Sequence, residues 1–340
     1  MTIGTLDQLE EVLSRPTDAD AEAMRALDGD LLILGVGGKM GPSLARRARR
    51  AADQAGTKLR ITGVARFTNE ALRRDLEAAG IATIAADLLD EAQLAALPDT
   101  PNIIYMAARK FGSTGDEGYT WAMNTYLPGR VAERFHRSRI VAFSSGNVYP
   151  LVPAASGGAT EETPVAPIGE YAQSALGRER MFDHFSRRYG TRVAILRLNY
   201  AVEMRYGVLL DIGTKVFERR PIDLAMGHAN VIWQGDANSV CLRSFPICAS
   251  PPAVLNLTGP ETLSVRQVAA RFGALFGAEP ILEGREAETA LLNNAARCHG
   301  LFGLPTVSMD QVIEWTAEWI RHGGPTLHKP THFEVRDGKF

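Results

Sequence analysis

The 340-residue chain has only three cysteines, Cys241, Cys248 and Cys298, and they are too scattered to form a metal knuckle or a redox couple. No disulfide framework is expected, and the thiols read as reduced, packed residues of a cytoplasmic protein. No apolar run approaches the roughly 20 residues that span a bilayer, and no basic-then-apolar leader opens the chain, so neither membrane insertion nor export is expected. Charge of one sign is not in excess. The net charge is −2, which provides no global field for nucleic acid or an anionic membrane surface. His322, His328 and His332 crowd the C-terminal end, but Pro325 and Pro330 interrupt any helical ligand spacing, so no metal site is expected. Repeats and low-complexity tracts are also lacking. Hydrophobic residues make up 45% of the chain, enough for one large α/β unit or two intimate lobes.

The most informative stretch is Leu31-Leu-Ile-Leu-Gly35-Val-Gly37-Gly38-Lys39-Met40-Gly41, an apolar strand running into a glycine-rich turn and then a helix. Such a turn exposes backbone N–H groups at the positive end of a helix dipole, and missing Cβ atoms let a pyrophosphate approach the main chain. Gly35, Gly38 and Gly41 are spaced G-x-x-G-x-x-G, and Pro42 presets the first helical turn. Dinucleotide binding is the expectation, against a plain structural turn. The run Arg46-Arg47-Ala-Arg49-Arg50 on the helix that follows reads as a solvated face, with a contribution to phosphate binding as the alternative.

Residues 5–15 read as an amphipathic helix, with Thr5 and Gln8 in capping-box spacing, and a second helix is expected over 18–27. Strand and helix signals then alternate. Strands are expected at 31–34, 59–64, 82–85, 102–106, 139–143 and 192–198, with helices to about Ala55 and around 70–79, 91–97, 119–137 and 170–189. This order predicts a Rossmann-type, doubly wound parallel sheet with helices on both faces. The expected division is a helical extension over 1–29, a dinucleotide-binding domain over 30–202 and a smaller, mainly substrate-binding lobe over 203–330. Some segments of that lobe return to the Rossmann core. A tail over 331–340, carrying Phe333, Val335 and Phe340, docks on the body or a partner, or frays.

Ser144-Ser145-Gly-Asn147-Val148-Tyr149 ends a strand, and Tyr171 opens a later helix, a pairing of hydroxyl and phenol suited to proton transfer beside a dinucleotide. Here the chain resembles the extended short-chain dehydrogenase/reductase family, the group of sugar epimerases and dehydratases. The matching pieces are the glycine turn, Asp87-Leu88, Met106-Ala107-Ala108, Asn124, Ser144-Ser145-x-x-Val148-Tyr149, Thr163-Pro164-x-x-Pro167, Tyr171-x-x-Ser174 and Glu179, with later echoes at Gly235-Asp236-Ala237 and Leu255-Asn256-Leu257. The resemblance implies that Ser145 orients a substrate hydroxyl or carbonyl, that Tyr171 is the general acid/base and that Asn124 supports the site through backbone or water hydrogen bonds. It also implies cofactor contacts from Gly35, Gly38, Lys39, Met40, Gly41, Asp87, Leu88 and Ala107, substrate contacts from Asn147 and Asn199, and a homodimer built from the helices over 119–137 and 170–189. Ala172, Leu176, Phe182 and Phe185 are the apolar residues the second of these helices offers to such a dimer.

Three departures matter. Free tyrosine titrates at about 10, so a tyrosine base needs a nearby cation. The family's lysine four residues after the tyrosine is Ala175 here, and Lys110 is the alternative source of positive charge. The arginine and aspartate expected of nucleotide-sugar members are replaced by Ala229 and Asn230, which makes a nucleotide sugar less fitting and leaves Arg205 to meet a carboxylate or phosphate, or to serve as a surface ion-pair residue. The second strand ends Val64-Ala65-Arg66 without a carboxylate for the ribose 2′-hydroxyl, so NADP, paired with Arg66, is preferred, with NAD as the alternative. The resulting expectation is an NAD(P)-dependent oxidoreductase or epimerase acting on a sugar or sugar-acid hydroxyl. The competing expectation, motivated by Ala175, is a catalytically degenerate sensor or scaffold that binds dinucleotide.

Overall fold

A seven-stranded parallel sheet organises the computed structural model, which describes residues 3–110, 112, 115–329 and 331–339; Pro330 and Phe340 lie outside them. The strands are β1 (Leu31–Leu34), β2 (Ile61–Ala65), β3 (Ala82–Ala85), β4 (Asn102–Tyr105), β5 (Arg139–Ser145), β6 (Val193–Leu198) and β7 (Ala253–Leu257). Their order is β7-β6-β5-β4-β1-β2-β3, with every neighbouring pair parallel. The order reverses between β1 and β4, and this opens a crevice beyond their carboxyl ends. Alternation along the strands divides the core. Leu31, Ile33, Ile104 and Val141 pack on one face of the sheet, and Leu32, Leu34, Tyr105 and Ile140 on the other.

Two helices, α1 (Leu6–Ser14) and α2 (Asp18–Ala26), precede the sheet, each capped by the threonine before it. They pack on α3 (Gly41–Gln54), and this corrects the reading of the arginine run. Arg47 is buried and donates to the buried Asp20 carboxylate at 2.9 and 2.6 Å, Arg46 pairs with Glu10, and Arg50 pairs with Glu11. Ser239 donates to the other Asp20 oxygen at 2.6 Å. Arg46, Arg47 and Arg50 are thus ion-paired to the acidic helices of the extension instead of forming a solvated face, and Arg49 pairs with Asp53 of its own helix.

After α4 (Glu70–Ala78) and α5 (Glu91–Ala95), the helix expected over 119–137 runs without interruption from Glu117 to Arg134 but contains a π-helical turn: α6 (Glu117–Trp121) passes through Ala122–Tyr126 into α7 (Leu127–Arg134). Pro128 has no N–H for the Asn124 carbonyl, and the Leu127 N–H bonds instead to the Ala122 carbonyl, five residues back. α8 (Gly169–Tyr189) crosses this turn closely: a Cβ on Gly177 would come within 2.4 Å of Thr125 Oγ1.

Beyond β6 the chain builds a second core around Trp233, Phe272 and Trp315, framed by α9 (Val208–Phe217), α11 (Val265–Phe276) and α13 (Met309–Arg321). α10 (Gln234–Arg243), β7 and α12 (Ala296–Phe302), which packs on β7, return to the sheet unit, where Gln234 and Asn238 both donate to Ser43 Oγ. The tail docks on the body. Thr331 and Phe333 are buried, the Thr331 N–H and hydroxyl donate to Asp211, and Arg336 donates to the Thr289 carbonyl and hydroxyl. Among the described residues no helix is long and apolar enough to cross a membrane.

Candidate active site

The three glycines of the turn after β1 do different work. Gly35 has φ +92°, and a Cβ there would lie 2.6 Å from the Ala107 nitrogen; a Cβ on Gly41 would lie 2.1 Å from the Val36 carbonyl oxygen. Both are required by the chain's own packing. Gly38 is different, since its Cβ would meet only the Gly35 carbonyl oxygen, at 3.4 Å, and would otherwise project into open space. That space is a cavity of about 380 Å³ whose lining includes Gly38, Arg66, Asp87, Leu88 and Ala107, at the N-terminus of α3. A glycine cradle at a helix N-terminus fits a dinucleotide pyrophosphate. Asp87 is fixed by its own turn: its N–H donates to Gln93 Oε1, and its carboxylate accepts from the Leu89 N–H. Arg66 is exposed just past β2, with Nη1 donating to the Tyr119 hydroxyl at 3.4 Å.

A second cavity, of about 330 Å³, opens from the same crevice and shares Gly38, Met106, Ala108 and Lys329 with the first. Ser145, Asn147, Tyr171 and Asn199 line it. The end of β5 is held rigidly. Ser144 donates to the buried Glu179 carboxylate at 2.6 Å, Glu179 is gripped by Arg197, and Arg197 also donates to Tyr149, whose hydroxyl donates to Asn256. Ser145 Oγ donates to Asn147 Oδ1 at 2.9 Å and accepts from the Asn147 N–H at 3.2 Å.

Asn124 does not face the cavity. It is fully buried in the π-helical turn, its Oδ1 accepting from the Arg109 N–H and from Arg178, its Nδ2 donating to the Arg109 carbonyl and to Ser174 Oγ. It therefore clamps the loop after β4 to the second turn of α8, where Ser174 also donates to the Tyr171 carbonyl. That loop carries Lys110, whose Nζ donates to the Thr331 carbonyl and lies 5.9 Å from the centre of the Tyr171 ring and 5.7 Å from that of Tyr200. Burial pulls the Lys110 ammonium down to about 8, partly countered by Asp211.

Lys39 departs from expectation in direction. Besides the main-chain N–H it offers at the turn, its side chain reaches across the second cavity, where Nζ donates to the Ala201 carbonyl at 2.7 Å and sits 3.9 Å from the centre of the Tyr206 ring. Burial pulls it down to about 7, against a smaller opposing pull from Glu203. Arg205 is the clearest correction. Glu10 and Glu203 hold its guanidinium at 2.7 and 3.1 Å, and it lines a neighbouring groove instead of the cavity of Ser145 and Tyr171. The ion-pair alternative holds, bridging α1 to the second core. Asn199 does line the cavity, and its Nδ2 is buried without a hydrogen-bond partner. Asn230, at the place of the expected diphosphate clamp, accepts from the Asn293 N–H and donates to the Glu261 carbonyl.

The sequence reading missed Tyr200, Tyr206 and Lys329. Tyr200 has φ +46°, a left-handed conformation uncommon outside glycine, directly after Asn199. Nothing in its spacing signals that conformation, and Lys329 reaches the cavity only because the chain after α13 folds back, its Leu327 N–H donating to the Arg205 carbonyl.

The family model described as the NAD dependent epimerase/dehydratase family matches residues 31–202. Solved structures similar to the chain include UDP-glucose 4-epimerase from Thermotoga maritima with UDP-glucose, at 16% identity and TM-score 0.69 over 86% of this chain and 99% of that one. A dTDP-glucose 4,6-dehydratase from Streptomyces venezuelae with NAD bound matches at 18% identity and TM-score 0.73, over 86% and 97% of the two chains. A variant UDP-glucuronic acid 4-epimerase from Bacillus cereus, in complex with a fluorinated UDP-glucuronic acid and NAD, matches at 16% identity and TM-score 0.73, over 86% and 99%. At these identities the structures establish the fold. No curated protein sequence matches the chain.

Proposed function

Because the chain belongs to the NAD dependent epimerase/dehydratase family, we propose that it is an NAD(P)-dependent oxidoreductase or epimerase acting on a sugar or sugar-acid hydroxyl. One observation carries this reading: the cavity at the glycine turn and the cavity of Ser145 and Tyr171 share Gly38, Met106 and Ala108, so dinucleotide and substrate meet in one crevice. The bound nicotinamide supplies the hydride acceptor and donor. Main-chain N–H groups of the turn and the start of α3, with Lys39 and Met40 beside Gly38, would hold its pyrophosphate, and Asp87, Leu88 and Ala107 line the same cavity. Ser145, oriented by Asn147, hydrogen-bonds the reacting oxygen. The Tyr171 phenol takes the proton from that oxygen and returns it. Asn124 is a positioning residue, since it holds the Lys110 loop against α8. The test is reduced-nicotinamide absorbance when the protein and NAD or NADP are mixed with sugars and sugar acids, and Tyr171→Phe should slow any signal by at least about a hundredfold.

NADP is the preferred cofactor in this proposal, supported by Arg66 at the rim of the first cavity and by the lack of a carboxylate directly after β2. The similar dehydratase and UDP-glucuronic acid 4-epimerase structures contain NAD, which keeps NAD as the alternative. Arg66→Ala should weaken NADP more than NAD, and equal losses would remove the preference. The proposed homodimer rests on the α7–α8 face, where Tyr126 and Tyr189 are exposed and Phe185 stacks on Tyr189. Ala172 and Phe182, expected there, are buried within the chain. A monomeric mass by light scattering would overturn the dimer.

A second reading, a degenerate dinucleotide-binding sensor, is supported by the surroundings of Ala175, which is fully buried among Val148, Tyr149 and Ala159. Nicotinamide binding with no turnover on any sugar or sugar acid would favour it.

A further inference from the structure

We propose that the second cavity selects a monosaccharide-sized substrate carrying an anionic oxygen group, a carboxylate or a phosphate, and that the Lys39 side chain anchors that group. The inference deepens the proposed function and rests on it, since it concerns the substrate end of the same crevice.

The charges around the cavity are unbalanced. Lys39, Lys110 and Lys329 line it, and among the described residues no carboxylate does. The nearest acids are committed elsewhere. Glu203 is buried against Arg205, Asp211 accepts from the Thr331 N–H and hydroxyl, and Glu179 is gripped by Arg197 and Ser144. Lys39 Nζ donates to the Ala201 carbonyl oxygen and lies over the Tyr206 ring, both neutral groups. Holding an ammonium in such a place costs free energy unless an anion joins it, and Lys39 registers that cost in its lowered proton affinity. A substrate carboxylate or phosphate would remove the cost and restore the proton. Asn199 Nδ2, buried on the same wall without a partner, adds an N–H donor for a polyol oxygen or the anion itself.

Size points the same way. Beyond Asn147 the tail closes the crevice: Val335, Arg336 and Gly338 stand against Tyr149, Ile168 and Met226, with only about 20 Å³ left between them. Arg336 is tied there to Thr289 and to the Ala225 carbonyl. On the Asn147 side, therefore, no room is left for a nucleoside diphosphate beyond a sugar held at Ser145 and Tyr171.

The experiment uses full-length protein saturated with NAD or NADP and titrates glucuronate, gluconate, glucose 6-phosphate, glucose and UDP by calorimetry at pH 6.5. At least one of the three sugar anions should bind at least about tenfold more tightly than glucose, and Lys39→Met should reduce that preference to about threefold or less. The uronate and aldonate against the sugar phosphate tell carboxylate from phosphate. Failure of the parent protein to bind either dinucleotide would sink the proposed function itself. With dinucleotide bound, equal affinity for glucose and the anions, no binding of any anion, an unchanged preference in Lys39→Met, or UDP binding more tightly than the sugar anions would overturn this inference alone. If Lys39→Met does not fold, the parent's own pH dependence decides: sugar-anion affinity must fall as pH rises above about 7, and a flat profile overturns the inference.

Discussion

The Lys110 ammonium stands 5.9 Å from the centre of the Tyr171 ring and reaches it from the loop after β4, not from the tyrosine's own helix. Asn124 fixes that loop through the Arg109 N–H and carbonyl and joins it to Ser174 on α8, so cation and phenol are held by one buried amide. Tyr171→Phe should lower kcat by about 10²- to 10⁴-fold while dinucleotide binding persists. Lys110→Met should lower kcat by about tenfold, the equivalent of about 1.4 kcal/mol in the barrier. Steady-state kinetics check both, and an unaltered kcat in Lys110→Met would remove the cation from the chemistry.

The two lysines set a pH window. Glu203 and Asp211 favour the charged form of Lys39 while Arg205 and Lys110 oppose it, and Asp211 favours that of Lys110. With Lys39 near 7 and Lys110 near 8, both are protonated below neutrality and lose their protons in turn as pH rises. Sugar-anion affinity should therefore be level below about pH 6.5 and weaken by up to about tenfold per pH unit above 7. The stability of the unliganded protein moves oppositely. Unfolded lysine keeps its proton to about pH 10.4, so between 7 and that value the unfolded state binds more protons, and this contribution to stability rises with pH. Lys39→Met should raise Tm more at pH 6 than at pH 9, and a uniform change would contradict the buried charge.

Gly38 and Gly41 separate ligand binding from folding. Gly38→Val adds a side chain where only the Gly35 carbonyl oxygen is near, so the fold should survive while dinucleotide affinity falls by at least about a hundredfold. Gly41→Ala drives a Cβ into the Val36 carbonyl and should lower Tm whether or not ligand is present. Thermal melts with and without NAD test the contrast, and a folded Gly38→Val protein with parental affinity would remove the glycine turn from the site.

Six of the seven strands were legible because strand and helix periods alternate cleanly from Leu31 to Leu198, and the positions of Ser145 and Tyr171 followed from where those elements end; β7 lies beyond that stretch, among the short strands of the following lobe. What was not legible depends on partners far away in sequence. The arginines after Gly41 meet Glu10, Glu11 and Asp20 only once α1 and α2 fold back on α3. Arg205, an isolated basic residue in the sequence, is consumed by Glu10 and Glu203. Lys39 belongs to a turn motif, and a motif says nothing of a side chain that bonds to Ala201, 162 residues away. The tail alternates polar and apolar residues too irregularly for its anchors at Asp211 and Thr289 to be foreseen.

Ala175 gives the last test. It is fully buried, and its neighbours Val148, Tyr149 and Ala159, with Val152, Val165 and Leu176 around them, form an apolar cluster that a lysine side chain would have to enter or displace. Glu179, one turn along α8, cannot serve as its counter-ion without releasing Arg197 and Ser144, the bonds that fix the end of β5 beside Ser145. Ala175→Lys should therefore cost roughly 1–3 kcal/mol of stability through overpacking and lower activity by disturbing Ser145 and Tyr171. The opposite outcome has an equally clear meaning. If Ala175→Lys raises turnover with little change in Tm, the added ammonium has reached the crevice, the site lacks a cation that Lys110 does not replace, and the arrangement around Tyr171 is incomplete instead of rebuilt. Melting curves and kcat measured on the same preparation distinguish the two, because a buried lysine lowers both while a lysine in the crevice raises one and spares the other.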